Sequence, residues 1–571
     1  MRRTLNQKTD EVVSDHPTPS VLFHLFPVPA LVIAAAAFAV VAPMIFLGNP
    51  SGHDFDFHLN SWMEIVGQWR QGIIYPRWAA LAHYGYGEAR FLFYPPASWV
   101  LGALLGLILP WRVVPGAYVW VALSAAGVSM FLLARRWVPQ RDAIFAAALY
   151  AANPYHVVIV YWRSAYAELL ASSLLPLLLL FVLRSEEEGR RIIVPLSLVV
   201  AAAWLTNAPS AVMVNYSLAL LVVAVAIVRR NPRPLFYGAA AVALGAGLAG
   251  YYIIPAAFEE RWVNIAEVLA PGVRPQDNFL FMTTGDADHN NFNRLVSIVA
   301  IAEMACLAGA VFFSRKRSWR ASENHALWWT LAGWGFATAV AMFSFTFIFW
   351  EHLPRLRFVQ LPWRWLLCMN VAFAVFVTLA FRRWWMRLVV CSVMFSVLWF
   401  GWHRVQPPWW DEAADIADVA EHQANGEGYE GTDEYVPAGD DPYELSQSAR
   451  RAEVQGGGRS HIRIQEWSPE SKQLIANTAQ PGKVVLKLFN YPAWTVLVND
   501  KVVTAASHPV TGQIVIPINA GESRVRLVFA RTWDRSYGIE LSLIALLLVV
   551  VLVLRDYFTR RHRITRTEAT T

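Results

Sequence analysis

The sequence predicts a polytopic α-helical membrane protein of about twelve transmembrane helices, with an extracytoplasmic β-sandwich-like domain near the C-terminus. Three observations carry that prediction. The 571 residues are 56% hydrophobic and only 16% charged, where soluble domains hold about a quarter charged residues. Apolar runs recur, each of about 20 residues and able to cross a hydrocarbon core of about 30 Å. Between several of them stand short arginine clusters, the usual marks of topology. Arginines placed this way account for the net charge of +6 and give no reason to invoke nucleic acid.

The first apolar stretch, 21–48, is too long for a cleaved signal peptide and reads as a retained helix. Arg2, Arg3 and Lys8 before it keep its start cytoplasmic. Further cytoplasmic marks are Arg135-Arg136 with Arg141, Arg184 to Arg191, Arg229-Arg230 with Arg233, Arg315 to Arg320, Arg382-Arg383 with Arg387, and the tail after Arg555. Spans are expected near 22–47, 115–134, 142–160, 166–183, 191–206 and 210–228, then 236–257, 293–313, 326–349, 363–380, 386–402 and 538–554. This even count puts both termini inside. Residues 97–109, bracketed by Pro95-Pro96 and Pro110, make only about 20 Å of helix and are expected to lie along the outer surface. Cys306, Cys368 and Cys391 all fall within spans, so no disulfide framework is available outside.

The chain thus divides into a membrane domain, 1–402, with a large first outer loop at 49–114, an outer β-rich domain at 403–537, and a last helix with a basic tail at 538–571. In the β-rich part HIRIQEW, KVVLKLF, WTVLVN, GQIVIPI and RVRLVFA alternate apolar with polar residues, the pattern of antiparallel strands with one buried face. The acidic, Gly-rich segment ahead of them is expected to drape over the membrane domain. Of the acids, Glu303 alone sits well inside a span, and no broken spans are expected, so midplane ion transport is disfavoured. Acids and arginines gather instead on the outer side.

Four constellations there carry chemistry. GHDFDFH, at 52–58, sets Asp54 and Asp56 between His53 and His58 just after helix one. A carboxylate at the membrane surface can take a proton from an attacking hydroxyl; the structural alternative is helix capping. The preferred split makes Asp54 the base and Asp56 the cap. Glu88 and Arg90, in GYGEARFLFYPP, share that loop and suit binding of an acceptor sugar or lipid. YWRSAYAELL places Arg163 and Glu168 at the mouth of a hairpin, either closing the loop or binding phosphate and assisting the base. RLRFVQLPWRW offers Arg355, Arg357 and Arg364 for lipid phosphate, or for a structural salt bridge, and Trp363 and Trp365 for a prenyl chain. Asp286, Asp288 and His289 read as a solvated loop, and no metal site is assigned.

GHDFDFHL, YPRW, GYGEARFLFYPP, YWRSAYAELL, LPWRW and EGYEGTDEYVP together resemble bacterial membrane proteins labelled "6-pyruvoyl-tetrahydropterin synthase-related". NYPAWTVLVNDK, Asn490 to Lys501, resembles more distantly the membrane proteins that glycosylate lipoteichoic acid. The architecture is similar to the GT-C glycosyltransferase superfamily. That resemblance implies a polyprenyl-phosphate sugar donor, a catalytic acid in the first outer loop at Asp54 (or Asp56), and a second acid at Glu168. It implies a bacterial cytoplasmic membrane enzyme that inverts configuration and uses a lipid or glycan acceptor; no metal or other cofactor is required, although Asp54 and Asp56 could hold a divalent metal weakly. The alternatives are a non-catalytic glycan-binding or polysaccharide-assembly protein and a lipid-linked glycan transporter.

Overall fold

The computed structural model describes residues 27–315, 322–405 and 410–568. Arg2, Arg3, Lys8 and the 316–321 part of one arginine cluster lie outside the described residues. Among the described residues eight helices are long and apolar enough to cross a membrane, or ten if each of two bent pairs forms one span. One of the eight, Tyr166–Thr206, reverses at Gly189, whose φ of +57° suits glycine. Glu168 and Asn207, at its two ends, line one cleft. Glu186 and Glu187, near the reversal, pair with Arg229 and Arg136 at the opposite end.

Helix α1 (Pro27–Leu47) leads through β1 (Asn49–Pro50) into α2 (Phe55–Arg70), which is only partly apolar and is not a span. Helix α3 (Pro96–Ile108) is short, as its prolines predict, and packs through Trp99, Gly102 and Ala103 while Leu107 and Ile108 stay exposed. A Cβ on Gly102 would come within 2.2 Å of the Trp62 ring of α2, so glycine is what lets these helices touch. Trp62 stacks on Tyr118 and Tyr166, joining the segment after α1 to two candidate spans.

Two expected spans are broken. Arg233–Leu248 and Gly250–Trp262 meet at 77°, and Trp328–Val340 and Ser344–His352 meet at 96°. The expectation of unbroken spans is therefore corrected, and with it that part of the argument against transport. Two expected boundaries also move outward: one helix begins at Ala287 instead of 293, and the last begins at Trp533 instead of 538.

The β domain is a sandwich of two antiparallel sheets. Its strands are β3 (Ala452–Gly456), β4 (Ser460–Trp467), β5 (Ser471–Thr478), β6 (Gly482–Phe489), β7 (Trp494–Val498), β8 (Lys501–Val503), β9 (Ala506–Ser507), β10 (Gln513–Ile518) and β11 (Gly521–Phe529). Sheet orders are β3-β6-β10-β9 and β4-β5-β11-β7-β8, and β1 pairs separately with β2 (Trp410–Asp411). Leu474, Val484, Leu486, Ile514, Ile516, Val525 and Leu527 fill the space between the sheets. Every second residue of β5 and β11 points inward, as period-two alternation requires. The domain is tied down at Glu259, fully buried, which accepts from Arg535 Nε at 2.7 Å, from Arg535 Nη2 at 2.8 Å and from the Tyr491 hydroxyl at 2.5 Å.

Candidate active site

The segment before α2 is stapled to the turn at 162–164. Asp54 donates its backbone N–H to the Arg163 carbonyl at 2.9 Å, and the Gly52 N–H donates to Ser164 Oγ at 3.1 Å. A Cβ on Gly52 would lie 2.6 Å from the backbone at 163–164, so only glycine permits this approach. Ser164 itself takes a left-handed φ of 49° where the helix through Arg163 unwinds. Asp54 occupies the N-cap of α2, yet its side chain makes no capping hydrogen bond, which leaves the carboxylate free toward the cleft. His53 packs edge-on against Phe292 at 5.2 Å. Surrounding protein lowers its imidazole pKa, with Asp54 opposing and Arg163 and His289 adding to the effect.

Behind Asp54 lies a buried charge cluster. Glu168, 1% exposed, accepts from Arg163, from Arg364 Nε at 3.0 Å and from the Tyr155 hydroxyl at 2.7 Å. Arg364 is fixed further by the Val359 carbonyl at 2.7 Å and Gln360 Oε1 at 2.8 Å, both through Nη1. Its Nη2 has no hydrogen-bond partner among the described residues. Two guanidiniums share one carboxylate, so the cluster carries a positive excess toward which Asp54 and an incoming anion are drawn.

Asp54, His53, Glu168 and Arg364 line one cleft of about 530 Å³. Its lining also includes the apolar Trp204, Val212, Ile253, Ala256, Val268 and Phe358, together with Asn207, Glu260, Arg355, Gln360 and Glu434. Both helix breaks serve it: the limb after Gly250 contributes Tyr252 and Ile253, and the segment after the second break contributes Arg355, Phe358 and Gln360. A cleft lined by both charged and apolar side chains fits an amphiphile that carries an anionic group.

The other residues expected at the site are placed elsewhere. Asp56 lies in the first turn of α2, with no capping bond of its own, and lines a separate pocket beside Glu430. The capping role expected for it is corrected, and the Asp54 and Asp56 side chains line different pockets. Among the described residues no group of three or more His, Cys, Asp or Glu could hold a metal. His58 is 1% exposed, enclosed by Phe57, Trp62, Tyr94 and Tyr166, and burial lowers its pKa to about 4. It is a packing residue. Trp363, 1% exposed, lies under Arg163 at 5.0 Å and beside Phe292, outside the cleft lining expected for it. Arg357 is exposed and does not line the cleft; Arg355 does, held by Glu260 at 2.8 and 3.0 Å.

Glu88 and Arg90 are likewise not substrate contacts in this cleft. Glu88, fully buried, takes Arg90 Nε at 2.5 Å, His83 at 2.9 Å and the Thr432 N–H at 2.9 Å. Burial opposes its ionisation, but Arg90 and His83 hold its pKa down to about 2. Together they clamp the 427–436 segment, which does drape over the membrane domain as expected, Tyr429 donating to Glu64 at 2.6 Å. Asp286 receives the Asp288 N–H at 2.8 Å and begins the helix there, a structural turn.

Sequence reasoning missed Gln360, Asn207, Tyr252 and Glu434, all lining the cleft, and named Arg355 only as one of three arginines in its segment. The EGYEGTDEYVP motif held a signal for Glu434, and the prolines bracketing RLRFVQ held one for the Arg355 to Gln360 turn. Among curated proteins, none matches the chain. A family model described as the 6-pyruvoyl-tetrahydropterin synthase related domain, a membrane protein, matches residues 91–404, a segment that includes Arg163, Glu168 and Arg364 but not Asp54. The chain belongs to this family of 6-pyruvoyl-tetrahydropterin synthase related membrane proteins.

Proposed function

We propose that the protein is an integral-membrane glycosyltransferase that moves a sugar from a polyprenyl-phosphate donor to a lipid or glycan acceptor at the outer face of the cytoplasmic membrane. The observation that carries the reading is the uncapped Asp54 carboxylate facing the same amphipathic cleft as the Glu168-braced Arg364. The prenyl chain lies against the apolar side chains of the cleft lining and the phosphate faces Arg364. The acceptor oxygen bonds to the anomeric carbon as the bond from that carbon to the phosphate oxygen breaks. Asp54 receives the hydroxyl proton and the phosphate leaves as an anion against the guanidinium, an arrangement of positioned base and electrostatic stabilisation. Attack opposite the leaving group inverts the anomeric configuration. Glu168 orients the two arginines in this reading and is not a second base.

The same reading puts both termini in the cytoplasm, the cleft and β domain outside, and twelve passes through the membrane. That number counts the Gly189 reversal as two passes, each bent pair as one, and Trp384–Val405 as another. Mass spectrometry of polyprenyl-linked glycans from a deletion strain tests the function. A transferase predicts an unconsumed polyprenyl-phosphate sugar and an envelope glycan lacking that sugar. Unchanged pools favour a non-catalytic glycan-binding protein, and a completed glycan trapped on the inner leaflet favours a transporter.

A further inference from the structure

A second cleft, of about 510 Å³, lies at the seam between the β domain and the far end of α2. It shares no lining residue with the Asp54 cleft. Gly67 of its wall lies about 20 Å along the helix from Asp54, at ~1.5 Å per residue. Arg70 from α2, Arg451 beside β3, Lys472 from β5 and Lys487 from β6 line it, with burial lowering the pKa of both lysines, that of Lys472 to about 7. None of the four has a carboxylate within ion-pair distance among the described residues.

The single acid of the lining, Glu64, is already committed. It accepts from Tyr429 at 2.6 Å, from Gln68 at 3.1 Å and from the Ala80 N–H at 2.5 Å, and burial raises its pKa. Trp467 and Trp111 supply the aromatic walls. Lys472 is 2% exposed with its Nζ 5.2 Å from the Trp467 ring centre, and it donates to the Ser468 and Pro469 carbonyls. A chain of unpaired cations beside tryptophan faces, most of it on a domain outside the spans, is chemistry for sugar rings bearing negative charge.

We propose that this seam binds an anionic glycan, its carboxylate or phosphate groups meeting Arg70, Arg451 and Lys487 and its rings lying against Trp467. The site stands independently of the reaction assigned to the Asp54 cleft, because its test reads binding and not transfer.

The test uses the full chain in phosphatidylcholine nanodiscs, titrated with tetragalacturonate and with neutral maltotetraose. Tetragalacturonate is expected to bind and maltotetraose not. The affinity is expected to fall about tenfold in the Arg451→Gln, Lys487→Gln double variant, since each exposed charge contact contributes up to ~1 kcal/mol. It also falls as salt rises from about 50 to about 500 mM. Trp467→Ala weakens binding too, while Arg357→Gln, a charge loss outside the seam, leaves it intact. Should the double variant fail to give a monodisperse protein, the Trp467→Ala and salt results decide. Equal binding of maltotetraose, or indifference to salt and to these substitutions, overturns the proposal. Loss of uronate binding in phosphatidylglycerol nanodiscs also overturns it, by making the seam a lipid-headgroup site.

Discussion

Glu168→Gln is the perturbation that most sharply separates a brace from a base. The substitution keeps the shape but leaves two buried guanidiniums, Arg163 and Arg364, without their shared counter-ion. Removing one partner of a buried ion pair costs about 3–5 kcal/mol. Spread over a helical domain of about 400 residues at about 2 cal/mol/K each, that loss lowers the unfolding midpoint by about 4–6 °C. A fluorescence thermal shift in detergent measures it. Adding Arg163→Met removes one orphaned charge and is expected to restore more than half of the loss, a coupling of the size contacting residues show. A single variant within about 1 °C of wild type, or a double variant that is merely additive, refutes the reasoning.

Other predictions follow from the packing and the charges. Gly102→Val drives a side chain into the Trp62 ring, which lies only 2.2 Å from where its Cβ would sit, and is expected to destabilise by about 1–3 kcal/mol; an unchanged midpoint contradicts the packing described. Glu259→Gln breaks the Arg535 and Tyr491 clasp, so hydrogen exchange at 482–494 is expected to rise, and unaltered protection contradicts its anchoring role. Burial, aided by Glu88 and Asp433 and opposed by Arg90, raises the Glu434 pKa to about 7. A folded value above the unfolded one means stability is full below the ordinary carboxylate pKa and is lost as pH rises toward about 7. Glu434→Gln is expected to flatten that part of the stability curve, and an identical curve in the variant sinks the assignment.

Much of the architecture was legible because its signals are local. Long apolar runs announce helices, prolines at both ends announce the brevity of α3, and alternation announces five of the strands. Strand β5 escaped notice because its inward face carries Lys472 and Thr478 beside Leu474 and Ala476, hiding the period of two. The helix breaks at Ala249-Gly250 and after Val340 were also hidden, since apolar composition runs straight through both bends.

At the site, Asp54, His53, Arg364 and Glu168 were found from position and charge alone. The sorting of similar residues was not. Asp54 and Asp56 are two residues apart near a helix start and therefore face different pockets. Arg355 and Arg357 sit on opposite sides of one short turn, so a cluster of arginines in the sequence names the segment without naming the residue. Glu88 and Arg90 look like a site because they are charged beside aromatics, yet His83 of the same loop and Thr432 of the distant draped segment hold Glu88 buried.

The central claim is that the Asp54 carboxylate removes the acceptor proton. Its most direct test returns Asp54→Asn, Asp54→Glu and Asp56→Asn to a deletion strain at matched membrane abundance, with mass spectrometry of the surface glycans. Asp54→Asn is expected to leave the missing sugar absent, Asp54→Glu to restore part of it, and Asp56→Asn to restore it fully. Wild-type glycan in the Asp54→Asn strain contradicts the account.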